Sequence, residues 1–398
     1  MTSREPAEAS IRSGAGASAG VRGSAGGRAG VCGSSEFGGI AEAGASAGVR
    51  GSAGGRAGVS GSSEFGRIAE AGAGMDAAAR GLSARYAGPV TKTLLAIGET
   101  MAMVAPVVAV PVADAADFLV DAGGAESNVA AHVAALGHRA VWFSRLGADA
   151  LGRRIARQLA ARGVDVSRVV YDESRRTGLY VKDPGHGVLY YRDGSAASAL
   201  CELDADAVSF DGIDLLHVSG ITAAISPTAA AFLARVIERA HAHGVRVSFD
   251  VNHRAPLWDA ATAAPALLEL ARSADVVLVG RDEAETLWGT VEAADVRALL
   301  ADVDELVVKD GSVGATVYTG AEAVFEPALV VEVVEAVGAG DAFAGGYLAG
   351  RLSGDSLADS LRAGHARAAR TLQTTTDSID EPSTPPAPAS APAAGIPT

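Results

Sequence analysis

Cysteine is nearly absent from this sequence. Its 398 residues hold two, Cys32 and Cys201, too few for a disulfide framework or a cysteine-built zinc site. Long apolar runs are missing as well: none approaches the roughly 20 residues of a membrane span, and the N-terminus lacks the apolar core of a secretory signal. The expectation is a cytoplasmic chain with no membrane partner. Basic charge is also scarce. Lys and Arg number 33 against 47 Asp and Glu, a formal net charge of -14, which is the wrong sign for a nucleic-acid partner.

Large apolar side chains are what residues 1–89 lack. This stretch is mostly Gly, Ala, Ser and Arg, and burying so little cannot offset the entropy of ordering it, so disorder is expected. It holds a 28-residue duplication, 16–43 and 44–71, whose copies differ only at Cys32 against Ser60 and Gly39 against Arg67. Two copies with so few apolar groups cannot stack into a solenoid core. Met75 would serve as an alternative start. Residues 381–398 are rich in Pro, Ala and Ser and read as a second disordered tail. One folded unit, 90–380, remains.

Within that unit short apolar runs alternate with helical stretches, the pattern of βα units around a mostly parallel sheet with helices on both faces. Strands are predicted at 94–98, 140–145, 215–219, 245–250, 275–279 and 305–309. Helices are predicted at 151–162 and 227–243, the latter with Pro227 in its first turn and Gly244 past its end. One region breaks the alternation: 178–181 and 188–192 are β-prone and separated by Asp183, Pro184, Gly185 and Gly187. They read as a hairpin, a small β lid over the carboxyl ends of the strands where ligands bind in such sheets.

The segment Val337-Gly338-Ala339-Gly340-Asp341-Ala342-Phe343 carries the clearest chemistry. Small residues opening a helix let a ligand approach the backbone, and the unpaired N–H groups with the helix dipole form an anion pocket. A carboxylate in a phosphate pocket is repelled unless it takes a proton from the attacking hydroxyl, as phosphoryl transfer to an alcohol requires. Alone, the heptad also fits a glycine turn with Asp341 as a capping group. No Gly-Lys-Ser/Thr follows, so it is not a Walker loop. His132, His138 and His217 show no metal-ligand spacing and read as structural.

Gly338-Ala339-Gly340-Asp341 resembles the C-terminal signature of ribokinase-like (PfkB-type) carbohydrate kinases. Gly123-Gly124-Ala125-Glu126-Ser127-Asn128 resembles that family's sugar-holding Gly-Gly motif, and Arg145-Leu146-Gly147-Ala148-Asp149 with Gly152 its Arg-x-Gly-x-Asp-x-x-Gly segment. Thr177-Gly178-Leu179-Tyr180, Tyr190-Tyr191-Arg192-Asp193-Gly194-Ser195 and Asp250-Val251-Asn252-His253-Arg254 resemble the 2-keto-3-deoxygluconate kinases in wording and order. The resemblance implies a ribokinase-like α/β fold with a lid, ATP and Mg2+ as co-reactants, and transfer of the γ-phosphoryl group to the 6-hydroxyl of a 2-keto-3-deoxy sugar acid.

Asp341 would be the base, with Gly338, Ala339 and Gly340 supplying N–H groups. Gly123, Gly124, Asn128, Tyr180, Tyr190, Arg192, Arg254 and Asp377 would face the substrate. Asn252, Lys309, Gly311 and Gly314 would lie at the nucleotide, although Lys309–Gly314 alone is a common turn. Glu283 would serve the metal, with Gly280 where the family has Asn. Glu335-Ala336 stands where the family has Asp-Thr. A substrate carboxylate calls for guanidinium groups, which Arg192 and Arg254 supply. A kinase for a neutral sugar such as fructose or ribose, and a sugar-binding regulator without catalysis, are the rival readings. An unpaired lid edge could also join subunits into a homo-oligomer.

Overall fold

The computed structural model describes residues 91–374. The 1–89 segment with its duplication, Cys32 and Met75, the 381–398 tail, and Asp377 lie outside the described residues.

Fifteen strands form among the described residues. Chain order gives β1 (Thr93–Ile97), β2 (Met101–Pro106), β3 (Phe118–Gly123), β4 (Arg139–Phe143), β5 (Arg145–Gly147), β6 (Val164–Asp165), β7 (Val170–Asp172), β8 (Leu179–Asp183) and β9 (Gly187–Tyr191). Then come β10 (Leu215–Ser219), β11 (Arg246–Asp250), β12 (Val276–Gly280), β13 (Glu305–Asp310), β14 (Gly314–Thr319) and β15 (Glu322–Pro327). The helices that matter below are α1 (Ala125–Ala135), α2 (Ala150–Ala161), α3 (Gly220–Ala224), α4 (Pro227–Ala242), α5 (Arg281–Trp288), α6 (Ala339–Ser353) and α7 (Leu357–Leu372).

Nine strands make the central sheet, in the order β15-β14-β13-β12-β11-β10-β1-β4-β6. From β13 through β6 every pairing is parallel, whereas β14 and β15 pair antiparallel at the edge. All five residues of β1 are buried, as a strand covered on both faces requires. Leu95 and Ile97 point into one apolar cluster with Val236 of α4, and Leu94 and Ala96 into the opposite one with Val129 of α1 and Tyr347 of α6. The predicted layers are therefore present.

Each predicted strand of the core forms within a residue or two of its expected bounds. Helix α4 starts as its sequence dictates: Pro227 is in the first turn, Ser226 Oγ accepts from Ala229 N at 3.0 Å, and Gly244 leaves the helix at φ +70°. The predicted hairpin is only half of the lid. The lid is a four-stranded sheet, β3-β2-β8-β9, with β2 and β8 parallel at its centre. Arg192, expected within the hairpin, is the first residue beyond β9.

The Arg145–Gly152 motif is structural. Asp149 Oδ1 caps α2 through Gly152 N at 2.8 Å, and its other oxygen accepts from Thr177 N at 2.9 Å. Arg145 pairs with Asp172 at 3.4 Å and Asp204 at 3.0 Å. His217 is structural too: it is buried beside Ser248 and its pKa falls to about 4, chiefly through burial. Among the described residues no helix is long and apolar enough to cross a membrane.

Candidate active site

The carboxyl ends of β1, β10, β11, β12 and β13 open into a cleft of about 690 Å3 whose other walls are the lid and the start of α6. Ligands gather at this place in parallel sheets because neighbouring connections diverge there and leave a crevice.

Its floor is built by the turn before α6. Gly338 takes φ +83°, a left-handed conformation that glycine adopts without cost. Helix α6 then begins at Ala339 and holds Asp341 in its first turn, facing the cleft together with Gly338 and Gly340. Asn128 of α1 donates from Nδ2 to Asp341 Oδ2 at 3.0 Å, which fixes the carboxylate's orientation. The free N–H groups of a 15-residue helix and its dipole make this end attractive to anions.

Beside it stands a charged triplet. Lys309, near the end of β13, donates to both oxygens of Asp250 at 3.1 and 2.8 Å. A Cβ added to Gly340 would lie 4.0 Å from Lys309 Nζ, so the ammonium borders the glycine turn. Burial alone would lower the Lys309 pKa, but Asp250 and Glu283 outweigh it and the net shift is upward. Glu283 moves up as well, first through burial and then through the charge of Asp250. Asn252, at φ +44°, turns the chain after β11 and places Arg254 at the open rim, exposed.

The lid supplies the opposite wall. Tyr180 and Lys182 alternate with half-buried neighbours along β8, so both side chains lie on the inward face. The rings of Tyr180 and Tyr190 are 6.0 Å apart, and the Arg192 guanidinium is 5.9 Å from the Tyr190 ring centroid. Arg192 is buried and its Nη2 donates to Glu99, which also accepts from Ser195 Oγ at 2.6 Å. Gly123 leaves room for the Tyr180 hydroxyl.

Gly124 lies against the chain at Glu99 and Thr100, where an added Cβ would meet backbone atoms at 2.5 and 2.8 Å. Backbone cannot swing aside as a side-chain tip can. Gly124→Ala is therefore expected to cost about 1–3 kcal/mol of stability, read as a lowered midpoint in calorimetry. An unchanged midpoint would mean that this contact relaxes freely.

The cleft gathers Asp341, Gly338, Gly340, Gly123, Gly124, Asn128, Tyr180, Tyr190, Arg192, Arg254, Asn252, Lys309 and Glu283. It does not gather the rest. Gly311 lies in the β13–β14 turn and Gly314 opens β14, where a Cβ would strike Phe325 and the Glu326 carbonyl, so Gly314 serves sheet packing. Ala339 stands in the glycine turn without lining the cleft.

Glu283, expected to serve the metal, is also bound to backbone. Its carboxylate accepts from the backbone N–H groups of Gly280, at 3.0 Å, and His253, so one oxygen caps α5 and the other ties that helix to the segment after β11. Sequence reasoning missed Glu99, Lys182 and Asp250. Lys182 could have been found from the period of a strand, two residues beyond Tyr180; Glu99 and Asp250 stand at or just beyond strand ends.

The profile of the pfkB family carbohydrate kinases matches residues 91–384. The 2-dehydro-3-deoxygluconokinase of Bacillus subtilis is 39% identical over 259 residues, which is 63% of this chain and 80% of that protein. The enzyme of the same name from Thermoproteus tenax is 34% identical over 272 residues, 66% of this chain and 82% of its own length. A solved PfkB protein from Polaromonas sp. JS666 superposes with a TM-score of 0.66 at 32% identity, covering 71% of this chain and 96% of that one.

Proposed function

We propose that this chain, which belongs to the pfkB family of carbohydrate kinases, phosphorylates a 2-keto-3-deoxy sugar acid at its 6-hydroxyl. The observation that carries the reading is Asp341 at a glycine-opened helix start, sharing one cleft with cationic groups on both the lid and the core. The names of the two curated relatives point to the same substrate class.

The sugar's hydroxyl sits against Asp341, oriented by Asn128. As the hydroxyl oxygen bonds to the γ-phosphorus of ATP, the bridging P–O bond to ADP breaks and the proton passes to Asp341. The N–H groups of the Gly338–Gly340 turn and the Lys309 ammonium hold phosphate charge. Magnesium, when bound with ATP, neutralises the phosphates.

The residues fit magnesium in one way. Asp250 and Glu283 are a buried acidic pair only partly balanced by Lys309, yet Glu283's oxygens already accept from backbone. Among the described residues no cluster of three His, Cys, Asp or Glu could hold a metal. The acidic pair thus suits the water shell of an ion that arrives on the nucleotide, since magnesium keeps several waters. An oligomer through the lid belongs to the same reading, supported by exposed Leu189 and Tyr191 on the edge strand β9.

Steady-state kinetics with coupled ADP detection test the substrate. The expected result is a kcat/KM for 2-keto-3-deoxygluconate at least tenfold above that for fructose, because a carboxylate bound by a positioned cation contributes on that scale. A preference for fructose would leave the family and remove the acid. Binding of either sugar without any turnover would favour the regulator.

A further inference from the structure

Glu99 stands just past the carboxyl end of β1 and lines the cleft on the side of the lid. One of its oxygens accepts from Arg192 Nη2, and both side chains are almost wholly shielded, with 2% exposure for Glu99 and 8% for Arg192. Its other oxygen accepts from Ser195 Oγ at 2.6 Å. Both donors come from the chain that leaves β9, so the base of the lid holds the carboxylate in place. Gly178, just before β8, keeps that place open, since a Cβ there would lie 2.8 Å from Glu99 Oε1.

Two hydrogen bonds do not exhaust this group. A carboxylate accepts at about four positions, and Arg192 and Ser195 take one on each oxygen. Burying an ion pair costs the hydration of both partners and adds little to stability, so its place on the wall of a substrate cleft calls for another reason. The pair carries no net charge. A second carboxylate would have to lie close to Glu99 and be repelled by it, whereas a hydroxyl donating to Glu99 makes a short, charge-assisted bond.

Resting on the reading of this cleft as the sugar site, we propose that Glu99 is a specificity-determining residue that accepts a hydrogen bond from a secondary hydroxyl, on C4 or C5, of the sugar whose 6-hydroxyl faces Asp341. Arg192 and Ser195 fix the direction in which Glu99 accepts. A sugar whose hydroxyl points elsewhere leaves a buried acceptor unpaired, and that loss is the basis of discrimination.

The experiment measures kcat/KM for 2-keto-3-deoxygluconate and for its C4 and C5 epimers in wild type and Glu99→Gln, with KM for ATP and the melting temperature of each protein. The three sugars carry the same carboxylate, so any change of charge at Arg192 cancels in their ratios. Glutamine keeps the length of the side chain and replaces one acceptor oxygen with a donor. Wild type is expected to disfavour at least one epimer by about 10- to 100-fold, and Glu99→Gln to lose most of that preference with KM for ATP little changed. A loss of stability alone would not move a ratio between epimers. Should Glu99→Gln fail to fold, Glu99→Gln combined with Arg192→Met, which leaves neither charge of the pair uncompensated, is held to the same ratio. A preference that survives in the variant, or a wild type indifferent to the epimers, overturns the proposal and leaves the sugar-acid reading to its own comparison with fructose. If that comparison favours fructose, the acid falls, and fructose with its C4 and C5 epimers, tagatose and sorbose, puts the same question to Glu99.

Discussion

Replacing Asp341 with Asn is expected to lower kcat by about 10²-fold or more, the usual scale for a positioned base, while nucleotide and sugar still bind. The amide has the carboxylate's shape, and its oxygen can keep accepting from Asn128, which now donates to Asp341 Oδ2 at 3.0 Å. What it cannot do is take the hydroxyl's proton. Single-turnover kinetics measure the chemical step, and calorimetric titration of ATP measures binding. A folded variant with near-normal kcat would require a different base, and the reading of the glycine turn would fail with it.

The second large effect concerns Glu126, in the first turn of α1. It is completely buried, and burial first of all, with the charge of Asp341 adding, lifts its pKa from 4.5 to about 7, against the lowering effect of the Ser219 hydroxyl at 2.6 Å. Its second oxygen has no hydrogen-bond partner among the described residues. Gly98 exists as glycine at this point because a Cβ there would overlap the carboxyl group.

The folded chain therefore keeps Glu126 protonated in a range where the unfolded chain ionises it. Between about pH 4.5 and 7 the unfolded state binds fewer protons, so stability falls as pH rises. The penalty is absent below the unfolded value and complete above the folded one, at about 3 kcal/mol. Glutamine carries no such titration. Glu126→Gln should gain stability over wild type by about that amount on going from pH 4.5 to pH 8, in denaturant unfolding at both values. A difference between variant and wild type that stays constant with pH would show that Glu126 does not titrate in this range.

Six of the seven strands of the parallel core were legible because each is a short, largely apolar run, whereas β6 has only two residues; helix α4 was legible because Pro227 and Gly244 bracket it. The lid was read only in part. In β2, Met101-Ala102-Met103-Val104-Ala105-Pro106 is apolar on both faces, so no alternation separates it from the apolar stretch that follows. The edge strands carry no such run either: β14 mixes buried with half-buried positions, and β15 mixes half-buried with exposed ones.

At the site, residues whose backbone does the work were the most readable, since Gly338 and Gly124 have few physical reasons to be glycine. Charges were less so. Arg192 and Glu283 were assigned to ligands, and sequence order does not reveal that Glu99, 93 positions away, partners the first, or that the N–H groups of Gly280 and His253 engage the second. The signature Gly280-x-x-Glu283 does fit a helix cap, and that was the available clue.

The lid is fastened near its base. Arg162 grips Asp121 at 2.7 and 2.8 Å, Arg154 and Gln158 donate to the Val120 carbonyl, and Arg192 joins Glu99 where β9 ends. A four-stranded sheet held in this way would tilt as a lever rather than as a loop. Six residues of strand reach about 20 Å, so a tilt of some 15° at the fastened end would carry the far tip, 107–117, through about 5 Å without breaking a single rung of the ladder. Opening by leverage would spend almost no backbone hydrogen bonding, and the work of admitting a ligand would fall on the few ion pairs at the fulcrum.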